Sequence, residues 1–221
     1  MAAKRDMVNL DMDNAAEQEN DLWVFGYGSL IFRPGFAYVA RREGFICDWS
    51  RRFWQASPDH RGTPQSPGRV ATIVASPGSQ CWGVAYRVAA AERAGVLAYL
   101  DERECGGYER RSLPFFTPDG EPLDSVLVYI AEHGNPNFVG PEETAITAAC
   151  VRAACGLMGP NLDYVWQLAT ALAHMGADDA HVFELARALE LVLTTSPAPA
   201  RAPTFEAQQF EAHAPTEQAS Y

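Results

Sequence analysis

The 221-residue chain is poor in positive charge: 17 Lys and Arg stand against 28 Asp and Glu, a formal net charge of −11. Affinity for a phosphate backbone comes largely from Lys and Arg, so nucleic acid is not an expected partner, nor is an anionic membrane surface. No apolar run is long enough to span a bilayer. The first 21 residues, "MAAKRDMVNLDMDNAAEQEND", lack the apolar core of a secretory signal. The five cysteines form no C-x-x-C pair and are odd in number. That reads as reduced thiols in a cytoplasmic protein.

Several chemistries are missing as well. The five histidines show no i, i+4 pair, and Asp59-His60 lacks a third partner, so no metal site is expected. His60 reads as a hydrogen-bonding residue. "VFGYGSLI", residues 24–31, has two glycines but not the third of a dinucleotide fingerprint, no Lys-Ser/Thr of a Walker loop, and no G-x-S-x-G elbow.

What is present is a chain that is 48% hydrophobic, enough for a proper core. Residues 1–21 read as a flexible arm. Residues 196–221, rich in Pro, Ala and Glu, read as a disordered tail. Between them, "WVFGY", "RFWQAS", "VATIVAS", "CWGVAYRV", "LPFFTP" and "SVLVYIA" read as short strands, with a turn at Asp119-Gly120. "AAAERAGVLAYLDERE" reads as a helix with Val96, Leu97 and Leu100 on one face, stopped by Gly106-Gly107. Three helices follow. The first starts after Pro141 with an Ile146, Cys150, Ala153 stripe. The second carries Tyr164, Val165, Leu168, Leu172 and Met175. The third carries Val182, Phe183, Ala186, Leu189 and Leu193. Strands first and helices after imply an α+β fold with a curved or closed sheet of short strands.

Three stretches bear on function. The bend at Gly26–Ile31 is either a tight turn or a concave anion site made of successive N–H groups. In "YLDERECGGY", Glu102 and Glu104 lie two apart at a helix end and so point in different directions. Glu102 reads as a surface charge, with Arg103 beside it. Glu104 precedes Cys-Gly-Gly-Tyr and reads as turning inward, where burial and the helix dipole would raise its pKa and suit it to carry protons. The third is "RRFWQASPDHRGTPQSPGRVATIV". Its Arg51, Arg52, Arg61 and Arg69 pair either with substrate carboxylates or with internal acids.

Taken together and in order, "WVFGYGSLIFRPGF", "SRRFWQASPDHRGTPQSPGRVATIV", "CWGVAYRV", "YLDERECGGY", "LVYIA", "NPNFVGP" and "GPNLDY" resemble the ChaC family of glutathione-specific γ-glutamylcyclotransferases, across roughly residues 22–190. The resemblance implies a γ-glutamylcyclotransferase-like small mixed β-barrel with flanking helices and a helical C-terminal half, its catalytic domain at residues 22–195. It implies a lyase that converts glutathione to 5-oxoproline and Cys-Gly without metal or nucleotide cofactor. It places the essential carboxylate at Glu104 and the substrate loop at Gly26, Tyr27, Gly28, Ser29, Leu30 and Ile31. It adds Tyr108 and Tyr129 as pocket tyrosines. Glu102 and Phe32 depart from the family pattern, where aromatic residues are usual, as does "CGLMGPN". Two alternatives stay open from the residues alone: a cyclotransferase for other γ-glutamyl amines or amino acids, and a non-catalytic module that binds a small anion.

Overall fold

A computed structural model describes residues 21–104, 107–120, 122–131 and 134–193. The arm at residues 1–20, Cys105-Gly106 and the tail lie outside the described residues. Five strands close into a barrel in the order β1-β3-β2-β4-β5. β1 (Leu22–Gly26) runs antiparallel to β3 (Gly68–Val88) and meets β5 (Pro122–Ala131) in parallel at Val24↔Leu127. β2 (Ala40–Ser57) pairs with β3, and β4 (Tyr108–Phe116) pairs with β5. The contact Phe45↔Phe116 joins the two hairpins. The Asp119-Gly120 turn falls where expected, with Gly120 N–H donating to Thr117 O at 2.9 Å.

The strands are not all short. β2 has 18 residues and β3 has 21. "VATIVAS" and "CWGVAYRV" belong to one strand, because Pro77-Gly78 makes a bulge instead of a chain reversal. Pairing jumps from Cys47↔Gln80 to Trp49↔Ala75, Asp48 takes φ 67°, and its Oδ1 accepts the Gly78 N–H at 2.8 Å. Bulges of this kind bend a ribbon and increase its twist, which lets a long hairpin wrap into a barrel.

α1 (Arg93–Arg103) follows a short 3-10 turn. It buries Val96 and Leu100 against Val24, Leu30, Val88 and Tyr129 in a satellite core. That docking fixes the helix end beside the turn that follows β1. From Thr144 the chain is mainly helical: α2 (Thr144–Ala153), α3 (Asn161–His174) and α4 (Ala180–Leu193) pack over β2 and β3 in the main core. A two-residue hairpin, β6 (Cys155–Gly156) with β7 (Gly159–Pro160), separates α2 from α3. α3 and α4 bury the expected positions Tyr164, Val165, Leu168, Leu172, Val182, Ala186 and Leu189. α2 does not: Thr147, Ala148 and Val151 face inward and Ile146 is 52% exposed. The rotation follows from its anchor, Thr147 Oγ1 donating at 3.2 Å to a Glu142 carboxylate that is itself held by Arg69.

Candidate active site

β1 leaves the barrel at Gly26, and the chain bends into a 3-10 turn over Ser29–Ile31. The bend requires missing side chains. A Cβ on Gly26 would lie 2.5 Å from Leu30 Cβ, and one on Gly28 would lie 2.8 Å from the Tyr164 hydroxyl. Four interactions brace it. Arg51 Nε donates to Tyr27 O at 2.7 Å, and the Tyr27 hydroxyl donates to Tyr129 O at 2.7 Å. The Tyr86 hydroxyl reaches Leu30 O at 2.9 Å, and Arg103 Nη2 donates to Ser29 Oγ at 2.8 Å. The Ile31 N–H is used inside the turn, on Gly28 O at 3.1 Å. The Ser29 and Leu30 N–H groups donate to no protein acceptor among the described residues. They remain available to an anion.

A cavity of about 510 Å³ opens against this turn. Tyr27, Gly28, Ser29 and Leu30 line it, as do Glu104, Tyr108 and Tyr129. Gly26 and Ile31 do not reach its surface: Gly26 lets Leu30 fold back, and Ile31 packs in the main core.

Glu104 closes α1, its N–H donating to Leu100 O at 2.8 Å. Its side chain is 18% exposed, with Oε1 3.4 Å from Arg103 Nε. Burial raises the carboxyl above the usual Glu range, the Arg103 guanidinium draws it back, and the Asp59 carboxylate pushes it up again. Glu102 is exposed, at the cavity rim. Burial also raises the Tyr27 and Tyr108 hydroxyls, with Glu104 adding to both. These phenols therefore stay protonated and can donate. Tyr129 differs. Its ring lines the cavity, but its hydroxyl donates to Asp101 at 2.8 Å and accepts from Arg110 at 3.1 Å. Burial and the bond to Asp101 push it up to about 12.

The arginine-rich stretch divides between its two readings. Arg51 and Arg69 are internal, paired with Asp179 at 2.6 Å and Glu142 at 2.8 Å. Arg52 donates to Arg51 O at 2.7 Å and covers the Trp54 ring. Arg61 alone of the four lines the cavity. His60 sits at its mouth, 3.6 Å from Asp59 through Nδ1. Among the described residues no three His, Cys, Asp or Glu side chains cluster as metal ligands do.

Two residues of the site were not expected. Arg103 is no surface charge: Nη1 donates to Arg33 O and Pro34 O, each at 3.0 Å, tying the end of α1 to the chain after the glycine turn. Tyr164 reads in sequence as a position on an apolar helix stripe. Its hydroxyl accepts the Ala71 N–H at 3.2 Å and stands against Gly28. No local pattern marks either residue, since both act across long sequence separations.

Comparison with known proteins gives a consistent set. The family described as ChaC-like protein matches residues 22–192. The glutathione-specific γ-glutamylcyclotransferase 1 of Rattus norvegicus is 40% identical over 182 residues, covering 79% of this chain and 81% of the rat protein. γ-Glutamylcyclotransferase 2-3 of Arabidopsis thaliana is 41% identical over 182 residues, covering 79% of this chain and 92% of its own. Among solved structures, a γ-glutamyl cyclotransferase specific to glutathione from yeast superposes with a TM-score of 0.74 at 29% identity, covering 77% of this chain and 96% of the yeast chain.

Proposed function

From the premise that the chain belongs to the ChaC-like protein family, we propose that it cleaves glutathione to 5-oxoproline and Cys-Gly, with Glu104 as the proton carrier. The observation that carries this reading is a carboxyl with a raised pKa, held within the cavity whose wall is the glycine turn.

The reaction needs no external nucleophile. The α-amine of the γ-glutamyl unit attacks its own γ-carbonyl, closes a five-membered ring, and expels the amine of Cys-Gly. Holding a chain curled for such an attack is worth roughly 7–11 kcal/mol in well-oriented intramolecular systems. Glu104 takes a proton from the attacking amine and returns it to the leaving nitrogen. A carboxyl pKa nearer neutrality suits both halves of that transfer. The Ser29 and Leu30 N–H groups and the Tyr108 hydroxyl are the available donors to the oxyanion or the α-carboxylate, the Tyr27 hydroxyl being spent on Tyr129 O. One such preorganised donor is worth about 3–4 kcal/mol.

The catalytic unit is residues 22–195, and the thiols without C-x-x-C pairing favour the cytoplasm as its place of work. No described helix is long and apolar enough to cross a membrane. Incubation of the full chain with glutathione and with γ-glutamyl-alanine, followed by quantification of 5-oxoproline, tests the proposal. Release from glutathione at the higher rate is expected. Release from neither compound would overturn it, and a preference for γ-glutamyl-alanine would reassign the substrate.

A further inference from the structure

We infer that the Arg61 guanidinium receives a second carboxylate of the substrate, the one at the far end of a γ-glutamyl peptide from the reacting amine. This rests on the γ-glutamyl reading above and narrows it to compounds that carry such a distal carboxylate.

Three arginines are buried among the described residues: Arg51, Arg61 and Arg69. Two hold carboxylates, Asp179 and Glu142. Arg61, only 5% exposed, holds none among the described residues. Its Nη1 donates to Pro160 O at 3.1 Å, and its guanidinium lies 5.6 Å from the centre of the Tyr164 ring. Its remaining guanidinium donors have no acceptor among the described residues, and the residue forms part of the cavity wall. A buried charge without a partner is unfavourable, and a planar fork matches a carboxylate with two parallel bonds. Burial draws the Arg61 pKa down and Arg33 adds to this, while Tyr164, Asp163 and Cys155 act in the opposite sense. Arg33 and Arg103 also line the cavity, so the wall carries three guanidinium groups, of which Arg103 is committed to Ser29 Oγ and the carbonyls of Arg33 and Pro34.

The position is built, not incidental. The Arg61 N–H donates to Ser57 Oγ at 3.0 Å. The β6–β7 hairpin clamps the loop from the other side, through Leu157 N–H to Asp59 O at 3.1 Å and Met158 N–H to His60 O at 2.8 Å.

The chemistry of the substrate decides which carboxylate goes there. The α-amine and α-carboxylate share one carbon, so the α-carboxylate stays at the Glu104 end. The guanidinium at the Glu104 end is that of Arg103, 3.4 Å from the carboxylate. Arg61 is therefore left for the opposite end of a longer molecule. A site built to bond a polar group discriminates strongly against an analogue that lacks it.

The test compares glutathione with its C-terminal amide. The wild-type protein should favour the acid by roughly 10- to 100-fold in kcat/KM, the usual worth of a hydrogen bond to a charged group. Arg61→Met should lower kcat/KM for glutathione by a similar factor, mainly through KM, and bring the acid-to-amide ratio towards one. Arg61→Lys, which keeps the charge but not the fork, should recover part of the preference. Equal use of acid and amide by the wild-type protein would overturn the inference whether or not the Met variant folds. So would an intact ratio in Arg61→Met. Calorimetric binding of the two compounds to Glu104→Gln gives the same comparison without turnover. A binding preference for the acid with no 5-oxoproline from the wild type would sink the functional reading alone. Turnover without that preference would sink only the role of Arg61.

Discussion

Two hollows among the described residues differ in what their charges are free to do. The cavity at the glycine turn, about 510 Å³, contains Glu104 and Arg61. A second cleft, about 590 Å³, is lined by Arg51, Arg52, Asp179 and His181 at the start of α4. In the cleft the charges are consumed by structure. Arg51 bonds Asp179, Tyr27 O and Trp82 O, and Asp179 Oδ1 also caps α4 by accepting the Val182 N–H at 3.1 Å. His181 accepts the Phe53 N–H at 3.0 Å, and burial lowers its pKa, favouring the neutral ring. In the cavity, burial leaves a carboxyl with a raised pKa and an arginine with no carboxylate among the described residues. Volume does not separate a site from a crevice. Buried charge left without a full set of partners does, because such groups can still exchange protons or accept a ligand.

The sharpest way to break this comparison is Glu104→Gln. Turnover should fall by about 10³-fold, because an amide cannot shuttle a proton between two nitrogens. A folded-state pKa raised above the unfolded value means Glu104 favours the fold at low pH and loses that contribution as pH rises through the folded pKa. At neutral pH the Gln variant should therefore show a Tm equal to or above wild type by calorimetry. Retained turnover, or a lowered Tm with full activity, would place the chemistry elsewhere.

Gly28→Val comes next. The new side chain would meet the Tyr164 hydroxyl, starting from a Cβ 2.8 Å away. Displacing the turn by about 1 Å should cost on the order of 10²-fold in kcat/KM. Steady-state kinetics with an unchanged KM would reduce the bend to a mere corner. Arg103→Gln is expected to be milder, about 10-fold in kcat/KM. Removing its charge takes away the influence that lowers the Glu104 pKa, so the acid limb of the pH–rate profile should move to higher pH. A limb that stays in place would detach Arg103 from Glu104.

The smallest effect on chemistry belongs to the cleft. Asp179→Ala leaves Arg51 buried at 1% exposure without its acid. Stability should drop by about 3 kcal/mol in denaturant titrations, while turnover per folded molecule changes only a few-fold. A larger loss of turnover would mean that the cleft reaches the cavity through the Arg51 bond to Tyr27 O.

Much of the fold is legible in local sequence, and the failures have identifiable causes. α3 and α4 have wide apolar stripes, so only one face can turn inward. α2 offers two equivalent faces, and a distant ion pair between Arg69 and Glu142 chooses between them. The long β2–β3 ribbon is hidden because Asp48 and Pro77-Gly78 look like turns, yet they form one bulge when side chain meets backbone across the strands. The first part of β2 carries Arg41, Arg42 and Glu43, with no apolar alternation to announce it.

Sequence alone determined that strands come before helices, the glycine bend and the place of Glu104 at a helix end. Those depend on residue type and on spacing within one or two turns of chain. Only the tertiary structure decided that Arg51 and Arg69 hold the fold while Arg61 stays open to the cavity, that Arg103 binds the helix end to the bend, and that Tyr164 backs it. The reason is physical: a charge or hydroxyl is defined by what lies within a few ångströms of it. Here those neighbours come from residues tens of positions away, brought together by the closing of a barrel.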